Sequence, residues 1–364
     1  MEPQNERELA EAIREAARPL RVVAGGTRPV GAGAGTLLRT GGLAGVRLYE
    51  PQALTLVVGA GTPLSEVEAL LATERQRLPF EPVRWGALLG ASGESTIGGV
   101  VAANVSGPRR VRAGACRDAL IGLRFVDGRG EVVKNGGRVM KNVTGYDLVK
   151  LLAGSWGRLG VLSEVSFKLL PAAATEATLL LEGLAAGDAV AAMSAALGSA
   201  FEVSGAGWMP GVGAMLRVEG LAQSVEYRAG QLQALLRRFG AARIERADSA
   251  ALWRALGEVA PLQGRAGDVW RFSVKPSLAP GIVARLDCPV VLDWGGGLIW
   301  ALLPDGTDAR ALAAPYSGHA TLMRGRGCGA VFEPEAPGIA ALSRGLRERF
   351  DPRGIFNGGW GHDA

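Results

Sequence analysis

The spacing of apolar positions changes character several times along the chain. Between residues 7 and 18, Leu9, Ile13 and Ala16 or Ala17 recur at helical spacing and predict a helix with one buried face. LRVVAGG then reads as a short strand running into glycine. ALTLVVGAGTPLSEVEALLA repeats that arrangement: a strand through Val58, a glycine turn, and a helix. Thr62 is placed as the N-cap of that helix and Pro63 at its first position, with Glu66 and Glu68 near its positive end. Two strand-glycine-helix units in close succession predict layered helices and strands.

From residue 95 the pattern is mixed. TIGGVVAANVSG is too broken by glycine to assign to helix or strand, whereas DALIGLRFVDGRGEVV reads as a hairpin turning at DGRG. GYDLVKLLAGS predicts a helix. LGVLSEVSFKLLP predicts a strand with Val161, Val165 and Phe167 at alternate positions. Pro171 and the alanine-rich stretch after it mark a domain boundary, giving units at 1–171, 172–330 and 331–364. In the second unit a helix over EYRAGQLQALLRRFG, with Leu232, Leu235, Leu236 and Phe239 on one face, is flanked by strands such as GAMLRVEG and GLIWALLP. The pattern there is that of a smaller α+β domain. The last helix, ending before Pro352, places Ile339, Leu342, Leu346 and Phe350 inward.

Composition narrows the classes. With 364 residues, 48% of them hydrophobic, the chain can bury a large core, and no apolar run is long enough to span a bilayer. The N-terminal segment lacks the basic and apolar regions of a secretory leader, so the expected location is cytoplasmic. Cys116, Cys288 and Cys328 stand far apart without a C-x-x-C pair, so any iron-sulfur relay belongs to another chain. The net charge of +5 is spread among interleaved acidic residues and accompanies no nucleic-acid recognition motif; no nucleic-acid partner is expected.

The candidate chemistry lies in glycine-rich loops. A diphosphate needs several backbone N–H groups aimed at one place, and glycine permits both the close approach and the positive φ of such a nest. Three loops qualify: AGGTRPVGAG (24–33), GAGTPL (59–64) and GASGESTIGGVVAANVSG (90–107). None fits G-x-G-x-x-G between strand and helix, and no Gly-Lys dipeptide exists, so neither a Rossmann fingerprint nor a P-loop is supported. With 54 glycines in the chain, ordinary turns account for most of them. Two separated loops, one trailed by Arg109, Arg110 and Arg112, nevertheless suit a dianionic diphosphate.

VVAGGTRPVGAG, VVGAGTPLSEVEALLA, LPFEP, the long stretch from STIGGVVAANVSGPRR through MKNVTGYD to VSFKLLP, and the terminal FDPRGIFN together resemble the FAD-binding subunits of bacterial three-subunit glycolate oxidases. These are flavoproteins of the vanillyl-alcohol oxidase or PCMH class. The resemblance is dense over residues 1–171, touches GHATLMR and resumes over the C-terminal helix. It implies an α+β fold: a two-subdomain FAD-binding domain, a smaller α+β cap domain, and a C-terminal helix returning to the FAD domain. Gly25, Gly26, Thr27 and Arg28 would then meet the diphosphate through main-chain N–H groups, with Arg109 near it. Ser95, Thr96, Gly98, Gly99, Asn104, Ser106 and Gly107 would lie along the flavin and its ribityl chain, and Val161 would offer backbone to the adenine end. Many relatives tether the flavin through a histidine in the first loop. Here Thr27-Arg28 stands in that region, so non-covalent FAD is expected. Related hydroxy-acid dehydrogenases hold a divalent metal with two histidines and a carboxylate; this chain has only His319 and His362, far apart in sequence, and no metal is expected.

Oxidising glycolate to glyoxylate requires a cation for the carboxylate and a base for the hydroxyl proton. Arg324, with Arg326, is the candidate cation and His319 the candidate base, although surface arginines and a structural histidine are the commoner explanations for such residues. Lys141, Tyr146 and Asp147 could orient the flavin loop or merely open the next helix, and Trp156, Trp270, Trp294 and Trp300 read as core. Three readings follow. In the favoured one the chain is one flavoprotein of a multi-subunit glycolate dehydrogenase, binding FAD and passing electrons to an iron-sulfur subunit while a larger FAD-containing paralogue oxidises the substrate, with any inner-membrane association made through these partners. The alternatives are a self-sufficient FAD-dependent 2-hydroxy-acid dehydrogenase, against which the missing metal ligands argue, and a flavin-free scaffold of the same complex, against which the intact glycine loops argue.

Overall fold

A computed structural model describes residues 1–31, 33–137 and 145–357. The first helix, Glu6–Arg14, starts where the Asn5 side chain accepts from the Glu8 N–H, and it buries Leu9, Ala10 and Ile13. Strands β1 (Leu20–Val23) and β2 (Thr36–Arg39) pair in parallel. They are followed by β3 (Val46–Glu50), β4 (Thr55–Gly59), a two-residue strand β5 (Gln76–Arg77), the hairpin β6 (Leu120–Val126) and β7 (Val132–Gly136), then β8 (Val161–Lys168) and β9 (Leu170–Pro171). Five of these form an antiparallel sheet in the order β3-β4-β8-β6-β7, while β5 pairs with β9. The central β8 is covered on both faces, so Leu162, Ser163 and Ser166 are buried beside Val161, Val165 and Phe167 and the simple alternation is lost.

The rest of the chain builds a second sheet from β10 (Thr175–Leu181), β11 (Gly205–Met209), β12 (Gly213–Gly220), β13 (Ala242–Glu245), β14 (Asp268–Val274), β15 (Val290–Asp293), β16 (Leu298–Leu303) and β17 (Gly318–Arg324). Its order is β13-β10-β12-β11-β15-β16-β14-β17, antiparallel throughout. One face packs against the helices Ala186–Leu197, Ala222–Leu236 and Ala279–Leu286 through Leu179, Leu216, Ile299 and Leu303. The other face turns Met215, Val269, Val291, Trp300 and Met323 into the same core as Phe80, Val83, Trp85 and Phe167 of the first half. The two halves are therefore packed on each other, with indole N–H bonds across the seam from Trp85 to the Gly257 carbonyl and from Trp294 to the Gly107 carbonyl.

A group of charges reinforces that seam. Arg217, whose side chain is 1% exposed, makes a two-pronged pair with Glu81 at 2.9 and 2.8 Å. Arg109 reaches Glu81 and Glu219 at 2.8 Å each and Glu176 at 3.6 Å, and Arg77 reaches Glu219 at 2.7 Å. Burial raises the pKa of Glu81 and Glu219, but the surrounding arginines outweigh it and hold both carboxyls below their ordinary 4.5.

Three local expectations are corrected. Thr62 does not cap its helix: its hydroxyl donates to the Gly59 carbonyl and accepts from the Gly45 N–H, leaving the cap position to Pro63. The glycine-broken stretch contains a helix, Ile97–Ala102, capped by Thr96; Gly98 permits it because a Cβ there would fall 2.6 Å from the Ala60 carbonyl oxygen. In the C-terminal helix, Pro337–Phe350, no residue is fully buried, and Ile339 and Leu342 are 55% and 67% exposed, because the side turned toward the other described residues carries Ala340, Ser343, Arg347 and, in the last turn, Phe350. There Phe350 stacks on Phe125, and the Arg349 and Phe350 carbonyls accept from Arg129 and Gly128.

Replacing Arg217 with Met leaves two buried carboxylates short of their cation and is expected to cost about 3–5 kcal/mol in denaturant unfolding. The sign with pH follows from the lowered carboxyls. In the parent chain their stabilisation is complete above about pH 4.5 and disappears as pH falls through the depressed folded values. The Arg217→Met chain should unfold at a higher pH in an acid titration followed by circular dichroism.

Candidate flavin and carboxylate site

The first glycine loop leaves β1 and turns at Gly26, whose φ of +68° is costly for any side-chain-bearing residue. A Cβ on Gly25 would lie 1.6 Å from the Glu94 carbonyl oxygen, so the loop can lie against residues 93–95 only as glycine. Thr27 is buried and its hydroxyl shares a hydrogen bond of 3.1 Å with Ser95. Among the described residues the backbone N–H groups of Gly25, Gly26, Thr27 and Arg28 meet no acceptor. Four consecutive unmatched amides in one turn present the donor array that a diphosphate requires.

Those amides border a slot between β1, the helix Ile97–Ala102 and the start of β8. Its walls include Gly25, Gly26, Thr27, Arg28, Thr96, Gly98, Gly99 and Val161, all expected from the sequence. They also include Thr40, Ala102, Gly157 and Asn357, which were not singled out, and Trp156, which was read as core and is instead half-buried on the slot wall. Asn357 accepts from the Val22 N–H and donates to the Trp156 carbonyl, clasping two walls together; its signal in the sequence was the final residue of FDPRGIFN. Ser95 stands behind the first loop. Asn104, Ser106 and Gly107 lie outside the slot lining: Asn104 and Ser106 accept from the Arg117 and Cys116 N–H groups, and Gly107 accepts from Trp294. Arg109, expected at the diphosphate, is instead engaged by the seam carboxylates.

Arg28 enters the slot with its guanidinium over Trp85 at 5.6 Å, donating to the Val83 carbonyl, while its Nε has no partner. Burial pulls its pKa down to about 10. Beyond Trp85 lies a second such cation. Arg271 on β14 sits 5.9, 5.3 and 5.8 Å from the rings of Trp85, Trp294 and Trp300, and its side chain makes no hydrogen bond or ion pair among the described residues. Arg110 stacks on Trp294 at 4.4 Å. Burial, then the Arg110 charge, depresses Arg271 to about 10. A desolvated guanidinium without an acceptor is a receptor for an anion.

The register places this cation. Arg271 opposes Thr321, and Ser273 opposes His319, across β14 and β17; directly opposed residues project to the same side of a sheet. That side also carries Trp300 and faces the first half of the chain. His319 and Thr321 line a second, open cleft, which shares Ser155 and Trp156 with the slot and is bordered by Phe332 and Glu333. His319 is exposed at the cleft; partial desolvation there, then the charge of Arg271, lowers its pKa from the ordinary 6.5 against an opposing pull from Glu333, which favours the neutral ring. Arg324 is not available as the carboxylate cation, because its guanidinium donates to the carbonyls of Leu88, Arg265 and Gly267. Asp147 caps the helix Leu148–Leu152, Tyr146 is exposed, and Lys141 lies outside the described residues, as does His362. Among the described residues no three His, Cys, Asp or Glu side chains are grouped to hold a metal, and no helix is long and apolar enough to cross a membrane.

Residues 1–136 match the model of the FAD binding domain family. Over 319 residues, 86% of this chain and 84% of the other, the sequence is 33% identical to "Glycolate oxidase subunit GlcE" of Escherichia coli strain K12. The chain belongs to the glycolate oxidase subunit GlcE family. It is thus one of the FAD-dependent oxidoreductases of PCMH type. Shorter stretches are similar to "Glycolate oxidase subunit GlcD" of Bacillus subtilis strain 168, at 44% identity over 24% of this chain and 18% of that one. The "D-2-hydroxyglutarate dehydrogenase" of Xanthomonas citri pv. viticola is 38% identical over 32% of this chain and 23% of its own. Among solved structures, an alkyldihydroxyacetonephosphate synthase superposes with a TM-score of 0.68 at 16% identity, covering 98% of this chain and 75% of the other, which establishes the shared fold.

Gly25→Ala is expected to leave purified protein with about a tenth or less of the parent flavin per chain, read from visible absorbance, because the loop can no longer approach residues 93–95. A second prediction concerns Asp293, which is buried, accepts from the Trp294 N–H and is pushed by burial from 3.8 to about 7. The folded chain holds that proton more tightly than the unfolded one, so the group costs stability increasingly as pH rises from 3.8 to about 7, and constantly above that. The stability advantage of Asp293→Asn, measured by thermal unfolding, should grow across this window and then level off.

Proposed function

We propose that this chain is a flavin subunit of a multi-subunit glycolate oxidase, holding FAD without a covalent bond, and that its second sheet presents a site for the carboxylate of a 2-hydroxy acid. What supports the reading is the uncompensated Arg271, facing the first half of the chain through a wall of tryptophans. FAD would rest on the amides of Gly25 to Arg28 and along Thr96, Gly98 and Gly99, with Val161 at one end. When bound, it supplies an acceptor for the two electrons and hydrogen that leave the carbinol carbon.

The chain's own residues do the remaining tasks. Arg271 forms a charge-assisted pair with the substrate carboxylate, and the surrounding indoles exclude water and strengthen that pair. His319 accepts the hydroxyl proton, a role for which the downward shift of its pKa favours the required neutral ring. Thr321, buried and opposite Arg271, offers a hydroxyl to the same ligand. Electrons then pass to an iron-sulfur subunit of the assembly, and a larger FAD-containing paralogue is the third member.

A second reading, a self-sufficient dehydrogenase, draws on the same face, since Arg271 and His319 come from this chain alone. Anaerobic glycolate should bleach the isolated yellow chain in both readings, and steady turnover separates them: a small-molecule electron acceptor suffices for the self-sufficient chain, whereas the relay turns over only with the iron-sulfur subunit present. In either case Arg271→Leu should keep its flavin content but raise the KM or Kd for glycolate by roughly tenfold or more, with Arg271→Lys intermediate, measured by flavin difference spectra.

A further inference from the structure

Within the slot, the Arg28 guanidinium is a cation that no carboxylate neutralises among the described residues. Its backbone belongs to the turn whose amides are free for a diphosphate, but its side chain leaves that turn and runs beside Gly99, where an added Cβ would stand 3.9 Å from Nη1. The group ends over Trp85. There Nη2 donates to the Val83 carbonyl at 3.2 Å, while Nε is buried and has no acceptor. The ionisable groups that act on it are the Cys116 thiol, which burial keeps protonated, and a second cation, Arg84. A guanidinium held in this way costs folding free energy, and a ligand that brings negative charge offsets the cost.

FAD offers such a cation two places of negative charge. The diphosphate already has the four amides of Gly25 to Arg28 for partners. The ring that accepts electrons must instead lie where the substrate can reach it, beside Arg271. Trp85 joins Arg28 to that end of the slot, since the same indole lies 5.6 Å from Arg28 and 5.9 Å from Arg271. The oxidation described above moves the carbinol hydrogen with both electrons to the flavin and the hydroxyl proton to His319. The flavin therefore ends with one negative charge that the oxidised ring lacks. A desolvated cation next to the ring favours the reduced form over the oxidised one, because the attraction is little screened there.

We infer that the Arg28 side chain is the electrostatic partner of the flavin ring, holding its reduced, negatively charged form in preference to the oxidised form and so raising the reduction potential of this chain's FAD. This rests on the reading of the slot as a FAD site and of Arg271 as the substrate cation. Arg28 then acts on the cofactor twice, through its main-chain N–H and through its charge.

The test uses the purified, FAD-loaded full chain and compares the parent with Arg28→Met, Arg28→Gln and Arg28→Lys. Flavin per chain is read from visible absorbance and the two-electron midpoint potential from equilibration with reference dyes. The third readout is the Kd of sulfite, which adds to a flavin ring as an anion and bleaches it without needing the substrate cation. Both uncharged variants should keep their flavin, because the loop amides remain. They should bind sulfite about tenfold or more weakly, with a midpoint potential lower by about 30 mV or more, the two-electron equivalent of tenfold. Arg28→Lys should stay near the parent. Uncharged variants with the parent's potential and sulfite affinity overturn the inference and leave the FAD reading intact. Loss of flavin from both uncharged variants also overturns it, since the charge then serves the diphosphate. A parent that isolates colourless and takes up no added FAD overturns the FAD reading and this inference together.

Discussion

The Glu81 carboxylate lies between two arginines that approach it from different halves of the chain, Arg109 from the glycine-rich segment and Arg217 from the second sheet. Hydrophobic packing alone would let the two sheets slide, because apolar contact has little directional preference. Paired guanidinium groups fix an orientation as well as a distance. With that joint set, Trp85 and Trp294 can bond across the seam, and the face of β14 carrying Arg271 meets the glycine loops in one arrangement. Glu219 extends the joint to Arg77, so three cations and three carboxylates, Glu176 included, share one partly buried region without a surplus of either sign.

The site next to that joint has the opposite character. Arg28, Arg110 and Arg271 are stacked on indoles rather than matched with carboxylates. Each pays for its desolvation with a lowered affinity for its own proton. The contrast separates structural from ligand-binding arginines within one molecule: the first kind is neutralised at the seam, and the second is left short of negative charge where an anion can enter.

Much of the framework could be read from the residues. The hairpin of β6 and β7, the strand β8 and the first glycine loop follow from turn chemistry and periodicity, which are local properties. Arg271 could not be found that way. In DVWRFSV it occupies an ordinary alternate position, and its lack of a counter-charge exists only once β14, β16 and the Trp85 segment meet. Arg109 invited the wrong assignment for the converse reason, since Glu176 and Glu219 reach it from distant strands. The C-terminal helix shows a third limit: spacing identifies an apolar face, yet the side turned toward the other described residues is the neighbouring one, with Ala340, Ser343 and Arg347.

Asn357 joins the Val22 amide to the Trp156 carbonyl, so segments separated by most of the polypeptide enclose a single space. During synthesis the early segment emerges from the ribosome long before the residue that clasps it. The enclosure is therefore completed only once Asn357 has been translated, and a cofactor held there is acquired after both sheets have been made rather than by the first glycine loop as it emerges.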